Sequence, residues 1–171
     1  MSEVKTLIET VKDTVKRFVV KEGDHDVHID FIDPQTGDIG LFPIGPTLVK
    51  SDVLGNKTYK MIFEMYSQRA GFEDFDRIEN NRYFANLVYK LNNLKHVRVL
   101  EPLETYMFFG ADTFFNDYSY LSDEEHIPGW ILDINAGNGL KYSVPTGDSN
   151  DGIIYQMQIT VTYKLLLSEI M

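Results

Sequence analysis

The sequence lacks cysteine entirely, lacks an apolar run of the roughly 18 residues that a membrane-spanning helix needs, and does not begin like a signal peptide. The absence of cysteine excludes disulfides, a thiolate nucleophile and cysteine-ligated zinc. The chain has 171 residues, of which 43% are hydrophobic and 13% aromatic, so it can bury a core of its own. We therefore expect one folded domain over residues 1–171, with no membrane segment and no need for an oxidising compartment.

The sequence also lacks the motifs that carry most catalytic chemistry. There is no Gly-x-Ser-x-Gly nucleophile elbow, no P-loop and no Gly-x-Gly-x-x-Gly after a strand. His25 and His28 lie among acidic residues, but on a strand their side chains point to opposite faces and cannot share one ion. The acidic turn at 147–152 departs from a calcium loop, because Ile159 stands where the bidentate glutamate belongs. These absences predict no enzyme activity, no cofactor and no metal.

Negative charge is abundant and unevenly placed along the chain. The formal net charge is −10, with 26 acidic and 16 basic side chains. Residues 22–40 carry six acidic and no basic groups, and residues 101–171 carry eleven acidic groups and two basic ones. One side of the molecule should therefore be strongly negative and should repel phosphate backbones. This distribution fits either an ordinary solvated face or a field that serves a repulsive purpose.

Two segments have the periodicity of amphipathic helices. Apolar residues recur at three- and four-residue steps over residues 2–20, which predicts an N-terminal helix. A second helix is predicted with Asp76 or Asn80 as its cap, and it extends to Lys95. Each of these helices should place one apolar stripe against the rest of the domain.

Alternation of apolar and polar residues predicts the strands. The most regular run extends from Ile153 to Leu165, and it predicts a strand in the middle of an antiparallel sheet. A Gly55-Asn56 turn predicts a hairpin, whereas the Pro- and Gly-containing segment before it, 39–51, predicts an extended loop or edge strand. Further predictions are strands at 25–31, 97–109 and 129–135 and a turn at 136–139. Together these elements predict an α+β fold, a single domain in which a mostly antiparallel sheet packs against two main helices.

The region 106–128 is unusually rich in aromatic residues around a glycine. One strand cannot bury all of these rings, so some should pack in the core while others contact a neighbouring subunit, where aromatic anchors often dominate binding. The candidate interface residues are Phe108, Phe109, Phe114, Phe115, Tyr118 and Tyr120.

The order of elements resembles that of one family of proteins. An amphipathic N-terminal helix and a Pro/Gly segment precede the hairpin sequence LVKSDVLGNKTYKMIFEMYS, an Asn80-Asn81 helix follows, and YQMQITVTYKLLL closes the series. This order resembles the tail terminator or minor capsid proteins of long-tailed phages of Gram-positive bacteria. The residues that carry the resemblance are Lys50, Asp52, Gly55, Tyr59 and Phe63, together with the run from Tyr155 to Tyr163.

The resemblance implies a structural virion protein without catalytic residues. Such subunits form a ring, typically a hexamer, that caps the tail tube, ends its polymerisation and offers the surface for head attachment. The implied partners are the tail tube protein and the head-tail connector or neck proteins, and DNA passes through the lumen without specific binding. The implied location is the head-proximal end of the tail, after assembly in the host cytoplasm. Candidate lumen-facing carboxylates are Asp24, Asp26, Asp30, Asp148 and Asp151.

Two alternatives stay open from the sequence. The first is another ring-forming virion part, either a head-tail connector or a tail tube subunit, because such proteins share the same absence of catalytic motifs. The second belongs to a different class, a small-molecule binding or catalytic domain. Its pocket would be lined by Tyr and Phe together with Asp112, Asp117 or Asp133.

Overall fold

The computed structural model describes residues 5–19, 26–32, 38–69, 74–93, 97–102, 126–143 and 153–167. The helices and strands within these residues are, in chain order, α1 (Leu7–Val19), β1 (Val27–Ile29), β2 (Ile39–Ser51), β3 (Lys57–Arg69), α2 (Asp74–Leu91), β4 (Val97–Pro102), β5 (His126–Ser143) and β6 (Ile153–Leu165). The six strands form one sheet in the order β1-β2-β3-β6-β5-β4. β1 runs parallel to β2, and every other neighbouring pair is antiparallel.

The centre of the sheet is the pair formed by β3 and β6. Their register is continuous from Lys57 opposite Leu165 to Arg69 opposite Ile153. Alternate residues of both strands are buried, and Phe63 faces Ile159 across the pair with neither side chain exposed. The alternation seen in the sequence therefore places one face of each strand in the core. The predicted central position of the last strand is confirmed, since β6 lies between β3 and β5.

A tight turn at residues 52–56 joins β2 to β3. The Asp52 carboxylate accepts hydrogen bonds from the backbone N–H groups of Leu54 and Asn56, both at 3.0 Å. Gly55 has a φ of 84°, a left-handed conformation that glycine adopts without steric cost. The turn chemistry of Asp52 and Gly55 thus fixes the hairpin, and the predicted turn is confirmed.

Most of β2 lies at the edge of the sheet. β1 pairs only with residues 39–41 of β2, so beyond Leu41 β2 has β3 as its one neighbouring strand among the described residues. Pro43 and Pro46 lie in this part of β2, near a register shift between Ile44 and Thr47. Proline lacks an N–H donor and is tolerated at edges and bulges, which explains its place here. The expectation of an edge strand is confirmed.

α1 begins with a reciprocal pair of hydrogen bonds at its N-terminus. The Glu9 N–H donates to the Thr6 hydroxyl at 3.3 Å, and the Thr6 N–H donates to the Glu9 carboxylate at 2.9 Å. This capping box sets the helix start at Leu7, later than the predicted start at residue 2. The Leu100 N–H donates to the carbonyl of Lys5 at 2.9 Å, which ties the helix start to β4.

α2 packs on the sheet through its buried face. The ring of Phe84 stacks on that of Tyr155 in β6, with 5.0 Å between centroids. At the end of the helix, the Asn92 side chain accepts from the Ala136 N–H at 2.6 Å and donates to the Ala136 carbonyl at 3.2 Å. The Asn92 side chain therefore makes both a donor and an acceptor hydrogen bond to the backbone of Ala136, which anchors the end of the helix to β5.

The predicted fold class is wrong. Of the described residues 58% are in strands and 28% in helices, and the six strands form one curled mixed sheet in place of a sheet packed against two main helices. The strands are longer than predicted because β2 extends through the Pro/Gly segment and β5 continues through the predicted turn at 136–139. Gly137 has a φ of 132°, and the register between β5 and β6 shifts between Gly137 and Lys141. The extra residues of the predicted turn are accommodated in this irregular part, and the strand continues beyond it.

Replacing a buried residue of β6 should cost far more than the same change on its other face. Ile159→Ala leaves a cavity at a fully buried site and should lower the free energy of unfolding by about 2 to 5 kcal/mol. Ile154→Ala, at a position 38% exposed on the same strand, is the matched control and should cost less than about 1 kcal/mol. Denaturant titration measures both, and equal losses would contradict the described register.

Candidate functional site

Most residues predicted to act in assembly lie outside the described residues. This is the case for the six aromatic interface candidates Phe108, Phe109, Phe114, Phe115, Tyr118 and Tyr120. It is also the case for the lumen candidates Asp24, Asp148 and Asp151, and for Asp112 and Asp117 of the alternative pocket. Asp133 lies on β5 and is exposed. The described lumen candidates are therefore Asp26 and Asp30, which lie just before and just after β1.

Residues 26–32 form a corner of the sheet, here named the β1 corner. The Asp26 carboxylate lies 2.8 Å from the Nζ of Lys16 in α1, and this hydrogen bond, together with one from the Val27 N–H, lowers the pKa of Asp26. Asp30 is exposed in a left-handed conformation with φ of 55°, and its N–H donates to the Leu41 carbonyl at 2.9 Å. The corner therefore presents Asp30 to solvent, while Asp26 is compensated by a cation.

The neighbouring histidine supports the corner. His28 Nε2 lies 3.1 Å from the Asp38 carboxylate, and the His28 ring meets the ring of Phe31 edge-on with 5.4 Å between centroids. Phe31 itself is 54% exposed. His25 lies outside the described residues, and no group of three or more metal-ligating side chains occurs among those that are described. The β1 corner thus exposes the Asp30 carboxylate beside the Phe31 ring.

A second surface lies at the opposite end of β2, along its open edge and the following turn, residues 44–54. We name it the hairpin edge. Its exposed large apolar side chains are Ile44, Leu48, Val49, Val53 and Leu54. Open strand edges are templates for pairing, and monomeric proteins usually protect them with charges or cover them. The prolines, the bulges and Lys50 oppose the addition of a strand here, but the cluster of exposed apolar side chains is typical of a surface that binds another chain.

Sequence reasoning missed the hairpin edge as a site, although a signal was present. Leu48 and Val49 are adjacent in the chain, and so are Val53 and Leu54 on the other side of Asp52. Adjacent residues of a strand point to opposite faces, so Leu48 and Val49 cannot both enter one core, and Val53 and Leu54 lie in the turn beyond the strands. Such pairs at a hairpin turn indicate apolar exposure.

A titratable carboxyl group lies between α1 and the sheet. Glu101 of β4 accepts a hydrogen bond from the backbone N–H of Leu7, the first residue of α1, at 3.2 Å. Burial raises the pKa of Glu101 to about 7, and the hydrogen bond from Leu7 offsets part of that rise. Burial also raises the pKa of Tyr163, and the nearby charges of Glu101 and Tyr59 raise it further. This carboxyl group was not singled out from the sequence, because its burial depends on packing between distant segments.

A scan of the chain against models of protein families finds no match, and a search of curated proteins finds none either. Within the described segments, neither helix has the length and apolar character needed to cross a membrane.

The Glu101 carboxyl should make stability depend on pH near neutrality. Because its pKa rises from 4.5 to about 7 on folding, the unfolded chain ionises first as pH increases. The contribution of Glu101 to the free energy of unfolding should therefore be most favourable below pH 4.5 and fall as pH rises through 7, with an upper bound of about 3 kcal/mol. Glu101→Gln keeps an acceptor for Leu7, and it should remove this loss and stabilise the protein at pH 8.

Urea titrations at pH 5 and pH 8 measure the free energy of unfolding of the variant and of the wild type. Because all other titrating groups are common to both proteins, the difference between them reports on Glu101 alone. Glu79→Gln, which removes a carboxylate from the surface of α2, is the matched control and should leave the pH dependence as in wild type. A Glu101→Gln variant with the same pH dependence as wild type would contradict the assignment.

Proposed function

We propose that this protein is a structural virion subunit, a tail terminator that assembles into a ring on the end of the tail tube. The observation that carries the proposal is the hairpin edge, a long open strand with exposed apolar side chains. The virion role itself rests on the resemblance of the sequence to tail terminators, and the hairpin edge supports the assembly that such a role requires.

The two edges of the sheet suit head-to-tail assembly. A ring of identical subunits needs heterologous contacts, in which one surface of each copy meets a different surface of the next. One edge of this sheet is β1 with the open part of β2, and the other is β4, where the Leu100 N–H is already taken by the Lys5 carbonyl. Because the two edges differ in length, sequence and pairing, they are chemically distinct surfaces of one subunit.

The acidic character of the chain fits a ring through which DNA passes. A net charge of −10 disfavours attractive contacts with phosphates, so DNA would slide without being retained. We keep Asp24, Asp148 and Asp151 as lumen-facing candidates. Asp26 contributes less to such a field because Lys16 compensates it, and we assign the exposed Asp30 to a contact between subunits.

The purified protein should form closed rings of one size. Light scattering at several concentrations gives the mass in solution, and negative-stain imaging gives the shape of the largest species. Rings that stop growing support a terminator. Long cylinders would assign the chain to the tail tube instead, and a monomer at every concentration would contradict assembly of the purified subunit.

A charge placed on the hairpin edge should prevent assembly without unfolding the subunit. Val49→Glu puts a carboxylate on an exposed position of the open edge, where it opposes close approach of another copy of this acidic chain. Ile78→Glu is the matched control, since Ile78 is an equally exposed apolar residue on α2, away from this edge. Circular dichroism should show the wild-type fold for both variants. Rings from Val49→Glu, or their loss from Ile78→Glu, would contradict the role of the edge.

A further inference from the structure

Five residues stand directly opposite one another across five strands, on the face of the sheet away from the core. We name them the basic row: Lys50 of β2, Thr58 of β3, Lys164 of β6, Trp130 of β5 and Arg98 of β4. Directly opposed residues share a face and have adjacent side chains. Thr58 is buried beneath its neighbours, Trp130 is 41% exposed, and Lys50 and Arg98 are exposed. The row therefore combines cations with an accessible indole ring.

The composition of the row is unusual for so acidic a chain. Lys164 is one of only two basic residues after position 100. Its Nζ lies 2.8 Å from the Asp52 carboxylate, and this contact, together with the hydrogen bonds from Asn56 and Leu54, lowers the pKa of Asp52 to about 2. With Lys164 compensated, Lys50 and Arg98 give the row its positive charge. Arg and Trp are the residue types most enriched at the energetic centres of protein interfaces.

The β1 corner is the described surface that complements this row. It carries the exposed carboxylate of Asp30 beside the exposed ring of Phe31, within the segment 22–40 that has six acidic and no basic residues. An acidic group next to an aromatic ring matches a guanidinium next to an indole. The complementarity thus involves both charge and aromatic contact.

The row and the corner of one molecule lie too far apart to meet. β1 pairs with residues 39–41 at one end of β2, whereas Lys50 lies beside the turn at the other end. Lys50 lies nine residues along the extended strand from Leu41, a distance of about 30 Å. On β6 the row lies at Lys164, seven residues from Met157, which is in line with Leu41, so the row and the corner lie at opposite ends of the sheet and a contact between them joins different molecules.

We propose that the basic row binds the β1 corner of a second copy of this chain. Arg98 pairs with Asp30, and Trp130, directly opposite Arg98, packs against Phe31 of the neighbour. The contact is heterologous, so each copy keeps a free row at one end and a free corner at the other, and repetition gives a ring. This inference rests on the proposed function and names the surfaces that its assembly uses.

The absence of cysteine allows a direct test by cross-linking. A chain carrying both Lys50→Cys and Phe31→Cys should give a ladder of covalent dimers, trimers and higher species with a bis-maleimide whose spacer is about 20 Å long, because three strand spacings separate Lys50 from Trp130. Mixing the two single variants should give dimers, while each single variant alone should stay monomeric on a denaturing gel. Lys50→Cys with Ile78→Cys is the matched control and should give no ladder.

The outcomes separate this inference from the proposed function. If the double variant forms rings by light scattering but no ladder, the row-to-corner contact is wrong and the ring stands. Dimers from Lys50→Cys alone would show that the row meets itself, which also overturns the contact. A wild-type chain that stays monomeric at all concentrations overturns both.

Removing the charges should weaken assembly from either side. Arg98→Gln, and separately Asp30→Asn, should each raise the concentration at half-assembly by about tenfold, and the double variant should be little worse than either single one. Asn tolerates the left-handed conformation of Asp30, so this change removes charge without backbone strain. Additive losses in the double variant would overturn the proposal. So would unchanged assembly of the single variants if the wild-type chain binds a single-stranded DNA oligonucleotide and Arg98→Gln abolishes that binding.

Discussion

The pairing of β3 with β6 is the constraint on which the rest of the molecule depends. These two strands share a register of thirteen residues without a bulge, and their inward side chains form the middle of the core. β2 extends the sheet from β3, β5 and β4 extend it from β6, and α2 packs on Tyr155 of β6. Because β3 and β6 are central, the open edges fall on β2 and β4, and the hairpin edge follows from that order.

The same register creates the surface features from which assembly is inferred. Lys164 lies beside Trp130 and Thr58 only because each strand meets β6 in one alignment. A shift of one residue would turn Lys164 into the core and bring Leu165 to the surface, at a large cost in free energy. Core packing therefore holds the basic row in place. Lys50 joins the row through a bulged part of β2, where the strand is less constrained by neighbours.

The sequence allowed accurate prediction where a local pattern decides the structure. The alternation in β6 and the Gly55-Asn56 turn each depend on nearby residues, and both predictions are confirmed. Prediction failed where residues far apart in the chain decide the structure. β5 continues past Gly137 because β6 pairs with it there, and the turn-like sequence Ala136-Gly-Asn-Gly does not reveal that pairing. The basic row and the burial of Glu101 depend on strands far apart in the chain, so neither has a local signal.

Head-to-tail contacts between identical subunits either close into a ring or continue without limit, and only the first outcome suits a protein that ends a tail. Native mass spectrometry of the wild-type chain distinguishes them most directly. A closed ring predicts one dominant species whose mass is a fixed integer multiple of 19.7 kDa and does not change with concentration. An open series of increasing masses, or the monomer alone, would contradict the account.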